Sequence, residues 1–401
     1  QQWYDKDASR PDKSDIQELV SFLRGDFERV VRPADVMLEI EERMVRLTEE
    51  QYRCLDQLEY NPRCLIEGSA GTGKTLLAIE FARREASRNK KVLLVCFNKL
   101  LGEWLGTNTF DAQPDSVEVI TFHQLLERLI TTSSIADQLH AEKHTLDRDD
   151  LFNELYPLLA LDALDEGVIE PFDTLIIDEG QDLIRSEYLD VFDGLLKGGL
   201  AGGNWSIFCD FFHQAIYNGL DADTMLSELE QRAPQHVKFK LLNNCRNTRQ
   251  IAEEVSLISG FDLPLFLPAS VVDGIPVDYR FSEDDNNQCD MLKKCLDQLD
   301  SSGVKRRAIT LLSPVTLEHS CVGTEACSFL KVTDLSKSEN LDRPANTIGF
   351  STILAFKGLE SSVVVITDIK QQLDDQHRAL LYLGMSRAKH RLIVLGDGSR
   401  A

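Results

Sequence analysis

Short runs of consecutive apolar residues punctuate the chain, with little strict alternation. Cys64 to Glu67, Lys91 to Phe97, Val117 to Thr121, Thr174 to Ile177, Trp205 to Asp210, Val237 to Leu242, Ala308 to Leu312, Val363 to Thr367 and Leu392 to Gly396 are such runs. Each has the length of a strand, and continuous apolar runs suit strands buried on both faces. Stretches that suit helices lie between them: Leu76 to Arg83, residues 124–172, and one helix within the acidic, polar stretch Phe281 to Asp300. Asn243 to Thr248 opens a further helix, and Leu381 to Lys389 precedes the last strand. Strands alternating with helices predict parallel sheets and an α/β fold. Two α/β domains are expected, over 46–236 and 237–401, the second starting with the strand at Val237. Residues 1–45 are polar, with an amphipathic piece from Ser14 to Phe22 and a helical one from Val36 to Met44. They are expected to be a linker or the remnant of an upstream domain.

One strand carries chemistry at its end. Cys64 to Glu67 runs into Gly68-Ser69-Ala70-Gly71-Thr72-Gly73-Lys74-Thr75 and then into a helix. Every fixed position of the phosphate-binding pattern G-x-x-x-x-G-K-[ST] is met, in the strand–turn–helix context it needs. The glycines let backbone N–H groups turn toward phosphate, and the helix start adds its positive dipole end. Lys74 is placed to reach the β and γ phosphates, and Thr75 to ligate Mg2+. A second signal is Thr174-Leu175-Ile176-Ile177-Asp178-Glu179, a strand ending in two carboxylates. Asp178 can hold the metal and Glu179 can polarise an attacking water. Thr48 followed by Gln51 is a capping-box pattern, and a glutamine ahead of such a loop can also read adenine with its amide. Asn98-Lys99-Leu100-Leu101 begins like a guanine-specifying N-K-x-D but has Leu101 at the fourth place, which excludes a GTPase.

Length and charge narrow the class. At 401 residues and 43% hydrophobic content, the chain is globular and too long for one ordinary core. Its net charge of −23 excludes a generally basic nucleic-acid wrapper. It leaves room for nucleic acid in a locally basic groove. The apolar runs are too short for a transmembrane span, so no membrane partner is expected. The first residue is Gln1 and no signal-type segment follows, so a processed chain or a fragment is expected. Nine cysteines without metal-ligand spacing predict reduced thiols and a cytoplasmic location.

The ordered set of motifs resembles superfamily 1 helicases of the UvrD/Rep type, over about Leu47 to Gly396. The resemblance implies two RecA-like domains that clamp ATP and Mg2+ between them and walk on single-stranded nucleic acid, DNA in preference to RNA. Gln51 then matches the adenine-reading glutamine and Gly68 to Thr75 the phosphate loop. Asp178-Glu179-Gly180-Gln181-Asp182 matches the D-E-x-Q-D box. Gln214 resembles the glutamine that senses the γ-phosphate, Arg246 the first arginine of the second domain, and Arg387 the arginine finger. Lys357-Gly358-Leu359-Glu360 resembles the K-G-L-E box, which makes Gly358 and Glu360 nucleotide contacts, with Glu360 at the ribose. Phe97, Asn98, Lys99, Thr121, Phe122, His123, Tyr217 and Thr352 resemble the single-strand track. For Phe122 and Tyr217, core packing is the competing expectation.

Several positions depart from that pattern. Cys245 stands where a tyrosine would stack on adenine. Asp210 and Gln214 are spaced one residue wider than usual, Asn218-Gly219 replaces a base-stacking Trp-Arg, and Leu354 replaces a histidine. Accessory insertions are short or absent. This compact form resembles helicases fused behind nuclease-related domains, which implies a fused or associated nuclease and a role in DNA repair or defence against foreign DNA. The alternative is an ATP-gated switch that controls such a nuclease without unwinding.

Overall fold

The computed structural model describes residues 51, 55–108, 116–142, 146–147, 150–211, 221–260, 274–282, 285–337, 343–369 and 375–397. The N-terminal segment, Thr48, Gln214, Tyr217 and Asn218-Gly219 lie outside the described residues.

Twelve strands form two six-stranded sheets, each parallel throughout. The first contains β1 (Arg63–Gly68), β2 (Val92–Cys96), β3 (Val117–Thr121), β4 (Thr174–Ile177), β5 (Asn204–Cys209) and β6 (Val237–Leu241), in the order β3-β2-β4-β5-β1-β6. The second contains β7 (Asp278–Ser282), β8 (Ile309–Ser313), β9 (Val332–Asp334), β10 (Ile348–Thr352), β11 (Ser361–Ile369) and β12 (Ala388–Asp397), in the order β7-β12-β11-β8-β10-β9. The principal helices are α1 (Lys74–Ser87), α2 (Lys99–Asn108), α3 (Phe122–Thr132), α4 (Tyr156–Asp165), α5 (Ser186–Leu195), α6 (Ala222–Arg232), α7 (Arg249–Ser259), α8 (Asp285–Ser301) and α9 (Asp375–Met385). This is the α/β architecture of two RecA-like domains.

Central strands are buried on both faces, as in β2, where all five residues are inaccessible. This is why they read as unbroken apolar runs. The two domains share an apolar core. Leu100, Leu101 and Leu105 of α2 belong to the same buried cluster as Ile353, Phe356 and Leu359 of the second domain. No helix among the described residues is long and apolar enough to cross a membrane.

Two expectations are corrected here. The strand at Val237, expected to open the second domain, pairs with β1 and forms an edge of the first sheet. The second sheet starts at β7. The cysteines are not all thiols either: Cys289 of α8 and Cys327 form a disulfide across 38 residues of sequence. The other described cysteines are buried and form no disulfide.

Candidate active site

The carboxyl ends of β1, β4 and β5 face the second domain, where parallel sheets place their ligands. β1 leads into the glycine loop and α1. The loop must reverse tightly, and Gly71 (φ +86°) and Gly73 (φ +83°) do so in the left-handed region. No side chain caps α1, so its first N–H groups are available to an anion. Lys74 Nζ donates to the carbonyls of Gly68 (2.7 Å) and Ser69 (3.1 Å), curled over the loop it would share with phosphate. Thr75 Oγ1 donates to Asp178 Oδ2 at 2.7 Å. That brings two hard oxygen ligands from separate elements together, a pair suited to Mg2+ completed by phosphate oxygens and water. No group of three or more His, Cys, Asp or Glu side chains among the described residues could hold a metal by itself.

Gln51 supports the adenine assignment through an orphaned atom. Its Nε2 donates to the carbonyl of Thr72, while its buried Oε1 has no hydrogen-bond partner. A Cβ at Gly73 would stand 2.7 Å from that oxygen, so only glycine leaves the space beside it. A buried acceptor left unpaired costs about 1–3 kcal/mol. The amino group of adenine would satisfy it.

The second domain grips the loop from the other side. Cys245 donates its N–H (2.8 Å) and its thiol (3.2 Å) to the carbonyl of Gly71. The Ala70 N–H donates to Tyr382 Oη (3.1 Å), and Tyr382 Oη donates to Asp210 Oδ2 (3.2 Å). Asp210 also gives its N–H to Gln181 Oε1 (3.0 Å), and Gln181 Nε2 donates to Glu179 Oε2. A buried hydrogen-bond chain thus runs from Glu179 through Gln181, Asp210 and Tyr382 to the phosphate loop. Glu179 itself sits at φ +56°, a left-handed position unusual for a side-chain-bearing residue and typical of sites held by their surroundings.

The two carboxylates titrate in opposite directions. Burial and the neighbouring Glu179 push Asp178 up, only partly offset by Thr75 and Lys74. Burial also works against Glu179, but Lys357, Lys74 and Arg387 outweigh it and hold Glu179 below its ordinary range. Of the pair, Glu179 is the more readily ionised and Asp178 the more readily protonated, and a cation beside Asp178 would favour its charge. Arg387 is 1% exposed and donates to the Leu383 carbonyl (3.0 Å) and Ser386 Oγ (3.2 Å). Burial and Arg246 lower it to about 10, so it remains a guanidinium at neutral pH. Arg246 Nε pairs with Glu360 at 2.8 Å, and Lys389 Nζ pairs with the same carboxylate at 2.6 Å. Burial opposes ionisation of Glu360, but the two cations hold it at about 2.

Of the residues expected at the site, Gly73, Thr75, Arg246, Gly358 and Glu360 line one interdomain cavity, while Lys74, Asp178, Glu179 and Arg387 are buried, with Lys74 and Arg387 both acting electrostatically on Glu179. The cavity, of about 470 Å³, is also lined by Cys245. Two contributors were not singled out from sequence, Tyr382 and Lys389, and the pairing of the motif residues Lys357 and Asp182 across the cleft was not foreseen. Tyr382 precedes Arg387 in the same segment, which was its one available signal.

The expected single-strand track is only partly accessible. Phe122 is fully buried, tilted against Tyr188 and Phe192 at centroid distances of 4.4 and 4.9 Å, so it is a core residue and not a base platform. Thr121 is also buried and serves as the cap of α3, with its N–H and Oγ1 both directed at Gln124 Oε1. Asn98 Nδ2 is spent on the carbonyls of Leu354 and Ala355 across the cleft. Phe97 remains 37% exposed and meets half-buried His123 edge to face at 5.0 Å, beside exposed Lys99. Thr352 is half-buried and its Oγ1 accepts the Ala355 N–H.

Residues 348–395, spanning β10 to β12, match the family model of the UvrD-like helicase C-terminal domain. This segment is similar to the UvrD-like helicase C-terminal domain. Arg387, Lys357 and Glu360 all fall within this UvrD-like segment. No curated protein matches the chain. Among solved structures, the C-terminal domain of a possible DNA helicase from Lactobacillus plantarum WCFS1 is 24% identical, with 39% of this chain and 89% of that one covered and a TM-score of 0.31. The PRRSV helicase is 11% identical over 86% of this chain and 55% of its own, with a TM-score of 0.42. The arterivirus nonstructural protein 10 helicase is 11% identical over 83% and 59%, with a TM-score of 0.38. The chain thus spans little more than half the length of these two viral helicases.

Proposed function

We propose that this chain is an ATP-driven translocase or helicase acting on single-stranded DNA, with ATP hydrolysed between its two RecA-like domains. What supports this reading is that Arg246 lines one cavity with Gly73 and Thr75 of the phosphate loop, and that the charges of Lys74 and Arg387 both act on Glu179. Lys74 exchanges its carbonyl partners for the β and γ phosphates. Glu179, already ionised, takes the proton of the attacking water. Arg387 and Arg246 balance the charge that builds on the γ-phosphate. Arg246 must first leave Glu360, which leaves that carboxylate to Lys389 and the ribose. Thr75 and Asp178 would hold Mg2+, which when bound neutralises phosphate charge. Because the arginines sit on the second domain, hydrolysis is coupled to closure of the cleft. Phe97, His123 and Lys99 are the accessible candidates for stacking and phosphate contact on the strand.

A second reading draws on Cys245 and Leu354. Cys245 packs its thiol on the Gly71 carbonyl and offers adenine no ring, and Leu354 presents a half-exposed aliphatic side chain where the resemblance leads one to expect an imidazole. Those features favour an ATP-gated switch for a fused or partner nuclease. One titration separates the readings: ATPase rate against single-stranded DNA, single-stranded RNA and duplex. A steep rise with single-stranded DNA is the expected result. A rate indifferent to all three, with no strand displacement, leaves the switch.

A further inference from the structure

The cleft continues beyond the residues assigned to the nucleotide. The same cavity runs past Glu360 to Trp104, Arg307, Thr310, Leu335 and Arg343. At about 470 Å³ it has the size of a small-molecule site. Its middle is apolar, between Leu76, Trp104, Leu335 and Phe356, and two guanidinium groups stand on its wall.

Arg343 is held there by specific geometry. Its Nη2 donates to the carbonyls of Arg307 (2.6 Å) and Ile309 (3.0 Å), while its Nε has no hydrogen-bond partner. A Cβ at Gly349 of β10 would lie 2.2 Å from Nη1, so the guanidinium occupies space that only a glycine leaves. Burial and the neighbouring Arg307 both disfavour its charge, lowering it to about 10. A tether to β8 would need the two carbonyl contacts alone. It would not need a second cation alongside or a donor left without an acceptor. Nε itself is closed off from the cavity, and an anion there would meet the lining faces of the Arg307 and Arg343 guanidinium groups and offset their like charge.

The sheet gives the direction of approach. Glu360 immediately precedes β11, β11 pairs with β8, and β8 pairs with β10. At about 4.8 Å per strand, Gly349 of β10, against which the Arg343 guanidinium packs, lies two strands and roughly 10 Å across the sheet from β11. Ser361 and Ser362 line the same cavity. We propose that this end of the cleft binds a phosphate group carried on the ribose of the nucleotide, so that the chain recognises ribonucleotides phosphorylated at the 2′ or 3′ hydroxyl as well as at the 5′. This rests on the reading of Glu360 as the ribose-side residue. Such a ligand competes with ATP and joins the two domains without a γ-phosphate.

Calorimetry on the full chain tests this with AMP, adenosine 3′,5′-bisphosphate and adenosine 2′,5′-bisphosphate. One bisphosphate is expected to bind about 10- to 100-fold tighter than AMP, the range for charged hydrogen bonds. Arg343→Gln should erase that advantage and leave AMP affinity unchanged. Arg307→Gln should reduce it, and carries the test if Arg343→Gln does not fold, with AMP affinity as the check on folding. AMP binding with no advantage for either bisphosphate overturns the inference alone. An advantage that survives both substitutions also overturns it. Failure of AMP, ATP and both bisphosphates to bind overturns the nucleotide reading together with it.

Discussion

Breaking the ion pair between Lys357 and Asp182 isolates what holds the two domains together. Lys357 lies in the turn after β10 and Asp182 in the turn after β4, and their side chains are only 11% and 7% exposed. Lys357→Met leaves a buried carboxylate without its cation, a change that costs about 3–5 kcal/mol. Asp182 keeps further interactions, so the lower end, about 3 kcal/mol, applies. At about 1.4 kcal/mol per tenfold, the closed arrangement loses roughly a hundredfold in population. If closure assembles the site, kcat/KM for ATP falls by a similar factor. The double variant Lys357→Met/Asp182→Leu removes both charges and should recover much of the lost stability, because no lone charge stays buried, while kcat/KM stays low because Lys357 also holds Glu179 ionised. ATPase kinetics and urea unfolding on all four proteins complete the cycle. Effects of the two single changes that add to within about 0.5 kcal/mol would refute the coupling.

Other consequences follow from the same geometry. Arg387→Ala should lower kcat by about 10³-fold or more while nucleotide affinity, read by equilibrium titration, changes little; an ordinary rate removes the arginine-finger role. Gln51→Ala should raise the KM for ATP by about tenfold through loss of an amide contact and abolish the preference for ATP over GTP, which competition between the two nucleotides reads directly. Glu360 has a folded pKa of about 2, below that of an unfolded glutamate at about 4.3. Its pairing with Arg246 and Lys389 therefore stabilises the fold above about pH 4.3 and is lost as pH falls toward 2. Thermal unfolding across that window should show a shallower acid limb in Glu360→Gln; an unchanged limb contradicts the pairing.

The central strands β2, β4, β8 and β11 were legible because burial on both faces leaves an unbroken apolar run. β7, β9 and β10 were not. β7 is an edge strand carrying Asp278 and Arg280, β9 has three residues, and β10 interleaves Gly349 and Ser351 with its apolar positions. β6 was legible as a strand, but its sheet was not: Val237-Lys238-Phe239-Lys240-Leu241 alternates like any edge, and pairing with β1 is a contact that local sequence does not encode. Phe122 carried more information than its place in the motif suggested. It begins the stripe Phe122, Leu125, Leu126, Leu129, Ile130, the spacing of a buried helix face. The glycine loop and the Asp178-Glu179 pair stood out because their function needs adjacent residues. Tyr382, Lys357 with Asp182, and the disulfide of Cys289 with Cys327 join distant segments, and no spacing along the chain announces such partners.

The central claim is that two domains act on one phosphate. A crystal structure with Mg2+ and a non-hydrolysable ATP analogue measures this most directly. Guanidinium nitrogens of Arg246 and Arg387 should stand about 2.7–2.9 Å from γ-phosphate oxygens, with the Arg246–Glu360 pair broken. Triphosphate on the loop at Lys74, with Arg387 still bound to the Leu383 carbonyl and Arg246 still paired to Glu360, would contradict the clamp.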